Sequence, residues 1–76
     1  MRPVHILIVS KEHIKDLMDL KNKKIWDQIL EVSKKIVKKE KLTNRGYRMS
    51  INGGGAQILD HLHVHISGPI EKNLSI

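Results

Sequence analysis

Apolar positions fall into groups with two different periods along the chain. The first group, PVHILIV at residues 3–9, is short and β-branched and reads as a buried strand. On such a strand Val4, Ile6 and Ile8 share one side, and His5, Leu7 and Val9 the other. The second group, KIWDQILEVSKKIVKKEKL at residues 24–42, places Ile25, Ile29, Val32 and Ile36 at spacings of four, three and four. Trp26, Leu30 and Val37 widen that stripe, so the segment predicts a long amphipathic helix with one face buried. Between the two, Ser10 stands where it could cap a short helix over residues 11–18. TNRG at residues 43–46 ends the long helix, with Gly46 suited to a left-handed turn.

Beyond that turn the period changes to two. YRMSIN at residues 47–52 alternates Tyr47, Met49 and Ile51 with Arg48, Ser50 and Asn52, the pattern of a half-buried strand. GGG at residues 53–55 makes a flexible loop. DHLHVHIS at residues 60–67 alternates again and reads as the last strand. Residues 70–76, after Gly68 and Pro69, read as a frayed tail. Strand, helix, strand, strand implies an α+β fold, in which a three-stranded antiparallel sheet packs on one long helix. Leu62, Val64 and Ile66 then face the helix. His61, His63 and His65 go to the open face beside Ser50 and Asn52, and His5 joins them from the first strand.

Composition adjusts this picture modestly. The 76 residues are enough for one small domain, 1–76, and contain no cysteine, so neither disulfides nor thiolate metal sites can staple it. Association is the expected further source of stability. No apolar run is long enough to cross a bilayer, and MRPVHILIVSKEH makes a poor signal peptide, so a cytoplasmic protein without membrane contacts is expected. The formal charge of +6 owes much to KKIVKKEK at residues 34–41. These lysines suit a solvated helix face near a C-terminal dipole, so nucleic acid is not the expected partner.

The histidines change the picture more. Three of the chain's five fall within HLHVH, residues 61–65. Alternate imidazoles on a strand stand roughly 6.5–7 Å apart at the backbone. Three chemistries fit. They could bind zinc with a water as fourth ligand, although no carboxylate shares their face as a second-shell acceptor. One could act as a nucleophile and another as an acid in phosphoryl chemistry, with the amides of NGGGAQIL holding the anion. Or they could simply be solvated.

HLHVHIS resembles the histidine triad signature, in which three histidines alternate with apolar residues; Ser67 replaces the last apolar position. PVHILIVSKEHI at residues 3–14 is similar to that family's upstream strand and turn, with its fourth histidine. GYRMSIN at residues 46–52 is similar to the strand before its phosphate loop. Within the superfamily the chain looks most like the histidine triad nucleotide-binding (HINT) branch. The resemblance implies a nucleotidyl hydrolase, phosphoramidase-like, that needs no metal or cofactor. By position, His63 matches the nucleophile, and the His61 carbonyl would hold the His63 ring in its tautomer. His65 would contact the phosphate and assist the leaving amine, and His5 would support the His61 ring. Asn52, Gly55, Gln57, Ile58 and Leu59 match the phosphate-binding segment, the last two through their amides. His13, outside the triad face, reads as structural.

The resemblance also implies a purine nucleotide ligand such as AMP, and a homodimer. Two features depart from the pattern. Ile58 stands where the family usually has a serine whose hydroxyl helps the leaving group. The family also usually opens with a helix and hairpin that carry much of the nucleoside pocket, and this chain starts after them. A truncated, non-catalytic phosphate-binding module is therefore the alternative expectation, as is a short protein whose sheet a partner completes.

Overall fold

A computed structural model describes residues 3–71. Its elements run in the expected order: β1 (Val4–Val9), a 3-10 turn (Leu17–Asp19), α1 (Lys23–Lys39), β2 (Arg48–Ile51) and β3 (His63–Gly68). The sheet is antiparallel with order β1-β3-β2, so the histidine strand lies between the other two. Register is fixed by Ile6 opposite Ile66 on one side and Met49 opposite Ile66 on the other. A slip by one residue would turn the apolar side chains outward and the histidines into the core.

The core forms where the apolar stripes meet. Val64 and Ile66 of β3 are fully buried against Ile8 of β1, Ile29 and Val37 of α1, and Leu42. The buried line on α1 is Ile29, Ser33 and Val37, one residue per turn. Leu30 and Val32, expected in the stripe, are instead exposed at its margins. Three strands present too narrow a surface to cover a wider helix face. Ser33 is polar at the centre of that line; its hydroxyl donates to the Ile29 carbonyl at 2.7 Å, which removes the cost of burying it.

Two boundaries differ from expectation. The short helix over residues 11–18 does not form, and only the 3-10 turn appears, capped by Asp16 rather than by Ser10. An isolated segment of eight residues is too short to hold a helix by propensity. Tertiary bonds take its backbone instead: the Ile14 carbonyl accepts the Leu62 N–H at 2.6 Å, and the Met18 N–H donates to Asp16. The long helix, expected to reach residue 42, stops at Lys39. Lys41 adopts φ 59°, the Lys41 N–H donates to the Lys38 carbonyl, and the Leu42 N–H donates to the Val37 carbonyl. That is a Schellman motif with lysine in the position glycine usually fills. It turns Leu42 back onto Val37 and into the core.

Gly46 also has positive φ, at 81°, and a side chain there would strike the Ile70 carbonyl. The Ile70 N–H donates to the Gly46 carbonyl at 2.9 Å, which ties down the start of the expected tail. The rest of that tail, residues 72–76, lies outside the described residues. Among the described residues no helix is long and apolar enough to cross a membrane.

Candidate active site

The central strand carries two of the five histidines, His63 and His65. β3 begins at His63, later than the expected residue 60, so His61 sits in the turn that leads into it. That turn is pinned by the Leu62–Ile14 backbone bond. It aims the His61 carbonyl at its own neighbour, and His63 Nδ1 lies 2.8 Å from that oxygen. A carbonyl can only accept, so Nδ1 carries a proton, and in the neutral ring the lone pair is on Nε2. His63 is 5% exposed, which corrects the expectation of an open histidine face.

His65, one rung along, differs from His63 in its partners. Its Nδ1 is 2.9 Å from His5 Nε2, and the two rings stack at 5.2 Å. Its ring meets that of His63 at 4.8 Å, tilted by 62°. Its Nε2 is buried and has no hydrogen-bond partner among the described residues. Burial, then the neighbouring His63 and His5, push its pKa below the ordinary imidazole value. The unliganded ring is therefore neutral at pH 7, with one nitrogen awaiting a partner.

The role expected for His5 changes accordingly. It contacts His65, not the His61 ring. His61 Nε2 donates instead to the Ser10 carbonyl at 3.1 Å, and its ring packs edge-on against His13 at 5.0 Å. Turned that way, the His61 ring does not converge with those of His63 and His65. Among the described residues no three His, Asp or Glu side chains are arranged to hold a metal ion.

The glycine loop is braced by a residue that sequence reasoning missed. Asp16 Oδ1 accepts the Gly54 N–H at 2.8 Å while its Oδ2 accepts the Met18 N–H at 3.0 Å. These bonds hold its carboxyl below the usual carboxylate range. A side chain on Gly53 would come within 2.8 Å of Asp16 Oδ1, so glycine is what lets the loop approach. Gln57 adds a second brace, donating to the Lys15 carbonyl at 3.2 Å and accepting the Gly55 N–H at 3.0 Å. Gln57 and the Gly55 amide, expected at the phosphate, are thus spent on the loop itself. Asn52 is exposed at the end of β2, and the amides of Ile58 and Leu59 have no acceptor among the described residues. The Ile58 side chain is 96% exposed. An Asp before a helical turn is a legible cap signal; its contact 38 residues away is not.

A family model described as the HIT domain matches residues 1–71. The chain belongs to the histidine triad (HIT) family. It is 43% identical over 75 residues to an uncharacterized HIT-like protein of Buchnera aphidicola subsp. Baizongia pistaciae, across 93% of this chain and 67% of that one. A 14 kDa zinc-binding protein of Zea mays is 37% identical over 79 residues, across 93% of this chain and 59% of that one. Among solved HIT structures, a HIT family hydrolase from Legionella pneumophila superposes with TM-score 0.82 at 32% identity, across 93% of this chain and 67% of that one. A histidine triad protein from Clostridium difficile gives 0.78 at 38% identity, across 91% and 64%. The chain spans between 55% and 67% of the length of the curated HIT relatives it matches. The α+β fold with a three-stranded antiparallel sheet is the one these HIT structures share with it.

Proposed function

We propose that this chain is a nucleotidyl hydrolase of the histidine triad type, close to the HINT branch, that cleaves a nucleoside phosphoramidate or a related phosphoanhydride. The observation that carries the reading is the His63–His61 bond. It fixes the tautomer in which His63 Nε2 is a nucleophile at neutral pH. In the first step the Nε2 lone pair forms a bond to the α-phosphorus and the bond from phosphorus to the leaving nitrogen breaks. The leaving nitrogen takes a proton from His65 Nε2. His65 is neutral when unliganded, and an anionic phosphate beside it restores its proton affinity. His5 is then a positioning residue that holds the His65 ring through Nδ1. In the second step water attacks phosphorus and gives a proton back to His65 Nε2, the N–P bond breaks with its electron pair returning to His63 Nε2, and a nucleoside monophosphate leaves. The amides of Ile58 and Leu59, with Asn52, would stabilise the charge developing on the phosphoryl oxygens.

The ligand on this reading is a purine nucleotide such as AMP, and the assembly is a homodimer. β1 and β2 each pair on one side only among the described residues, and Leu7, Val9, Leu30 and Val32 are exposed nearby. One observation favours a second reading, a non-catalytic phosphate-binding module. The bare Ile58 side chain offers the leaving group no hydroxyl.

Incubation with an adenosine 5′-phosphoramidate separates the two. The hydrolase reading expects AMP release that His63→Ala reduces to the buffer rate while circular dichroism and AMP binding are retained. AMP binding with no release by the unaltered protein leaves the binding module.

A further inference from the structure

The segment that precedes α1 and the glycine loop are laced together in antiparallel order. The Ile14 carbonyl accepts the Leu62 N–H, the Lys15 carbonyl accepts the Gln57 side chain, and the Asp16 carboxylate accepts the Gly54 N–H. The first tie lies where the loop ends and the last near where it begins, so the loop runs back along residues 14–16.

This lacing divides the loop's backbone donors. The N–H groups of Gly54, Gly55 and Ala56 go to Asp16, to the Gln57 side chain and to the Gly53 carbonyl. Those of Ile58 and Leu59 have no acceptor among the described residues. The first half of the loop is closed on itself, and the second half keeps donors to offer. Gly54 and Gly55 hold left-handed φ of 64° and 92°. A free run of three glycines samples many more conformations than this, and a ligand that had to order it would bind more weakly. A loop ordered beforehand by the fold spares the ligand that loss.

Asp16 is the charged member of the lacing, and its oxygens have separate tasks. Oδ2 caps the 3-10 turn through the Met18 N–H, while Oδ1 reaches the Gly54 N–H across 38 residues. A cap needs a single oxygen, which serine also supplies. The bond to Gly54 is additional to it. By charge alone a carboxylate on an anion-binding loop weakens anion binding. Its tie to the loop and its charge therefore act on a bound phosphate in opposite senses, and substitution shows which is larger.

Resting on the reading above, in which the Ile58 and Leu59 amides meet the phosphate, we propose that Asp16 is a positioning residue for the substrate: its bond to Gly54 holds the loop in the form that presents those two amides. The plain alternative is that Asp16 only caps the turn and meets Gly54 incidentally.

Asp16→Ser separates the two, because it keeps a capping oxygen on a stem too short to serve Gly54 as well. Calorimetry with AMP should show affinity about tenfold weaker than in the unaltered protein, the low end of what a charge-assisted hydrogen bond supplies, at an unchanged urea midpoint. Asp16→Asn, with one oxygen of the right reach, should fall between them. AMP binding by Asp16→Ser that is equal to or tighter than that of the unaltered protein overturns the assignment.

A second variant reaches the same tie without touching Asp16. A side chain on Gly53 would come within 2.8 Å of Asp16 Oδ1, so Gly53→Ala should push the carboxylate off the loop. It should weaken AMP binding by a similar factor in the unaltered background and by less than about twofold in Asp16→Ser. Equal effects in both backgrounds overturn the assignment, since the two positions would then act independently. Affinities that change as expected, with no AMP released from adenosine 5′-phosphoramidate by the unaltered protein, sink the hydrolase and keep the positioning role. Unchanged affinity in Asp16→Ser sinks that role whatever the turnover.

Discussion

At the scale of single residues, neighbouring imidazoles of one type are made unlike by what their ring nitrogens touch. The His61 carbonyl gives His63 a fixed tautomer, and burial beside His63 and His5 keeps His65 neutral. This has a measurable cost in acid. The folded-state pKa of His65 lies below the ordinary 6.5, so above that pH both folded and unfolded chains hold it neutral. As the pH falls below 6.5 the unfolded chain binds the proton first, and stability drops until the folded value is passed. Urea midpoints measured between pH 7.5 and 5.5 should fall for the unaltered protein and fall less for His65→Gln. Equal slopes would mean that His65 titrates like a free imidazole.

At the scale of elements, the end of α1 offers the sharpest test. Lys41 occupies a left-handed position that costs a side-chain-bearing residue roughly 1–2 kcal/mol. Part of that returns as backbone entropy when glycine replaces it. Lys41→Gly should therefore raise unfolding free energy by about 0.5–1 kcal/mol in urea titration, with α1 and its Schellman bonds kept. A loss of stability would mean that the lysine side chain supports the turn in some other way.

The same element shows what a one-dimensional reading can reach. The period of 24–42 announced the helix because burying one side of it dominates the local energy, and the alternation of 61–67 announced the histidine face for the same reason. Helix ends are weaker signals: TNRG pointed to Gly46, while the chain turned at Lys41, a residue with no such preference. Ser10 had the chemistry of a cap, but the Leu62 N–H reaching the Ile14 carbonyl decided that segment from 48 residues away. Asp16 and the partners of the His5 and His61 rings escaped for this reason too. Which of two histidines a third one touches is set by turn geometry, not by residue order. The His63–His61 contact, by contrast, joins positions two apart, and the resemblance to the histidine triad family implied it.

At the scale of the whole molecule, the core is small and hangs on few side chains. Leu42 lies outside every regular element yet is fully buried, packed with Val64, Ile66 and Val37. Leu42→Ala should cost about 2–5 kcal/mol, a large share of what a domain of this size possesses. A drop in the urea midpoint at unchanged slope would show it. A change below about 1 kcal/mol would mean that the cavity collapses freely.

The strand order also sets a sequence of events. β1 and β2 do not pair with each other; each pairs only with β3, and Val4 meets Gly68 across nearly the whole described chain. β2 and β3 follow each other and pair across the loop of residues 52–62, whereas β1 must close a far longer stretch of chain before its first ladder bond. α1 can coil locally in microseconds, but both outer strands must wait for the segment that bears the histidines. The strand that bears His63 and His65 is thus also the last clasp of the fold: until it docks there is no sheet.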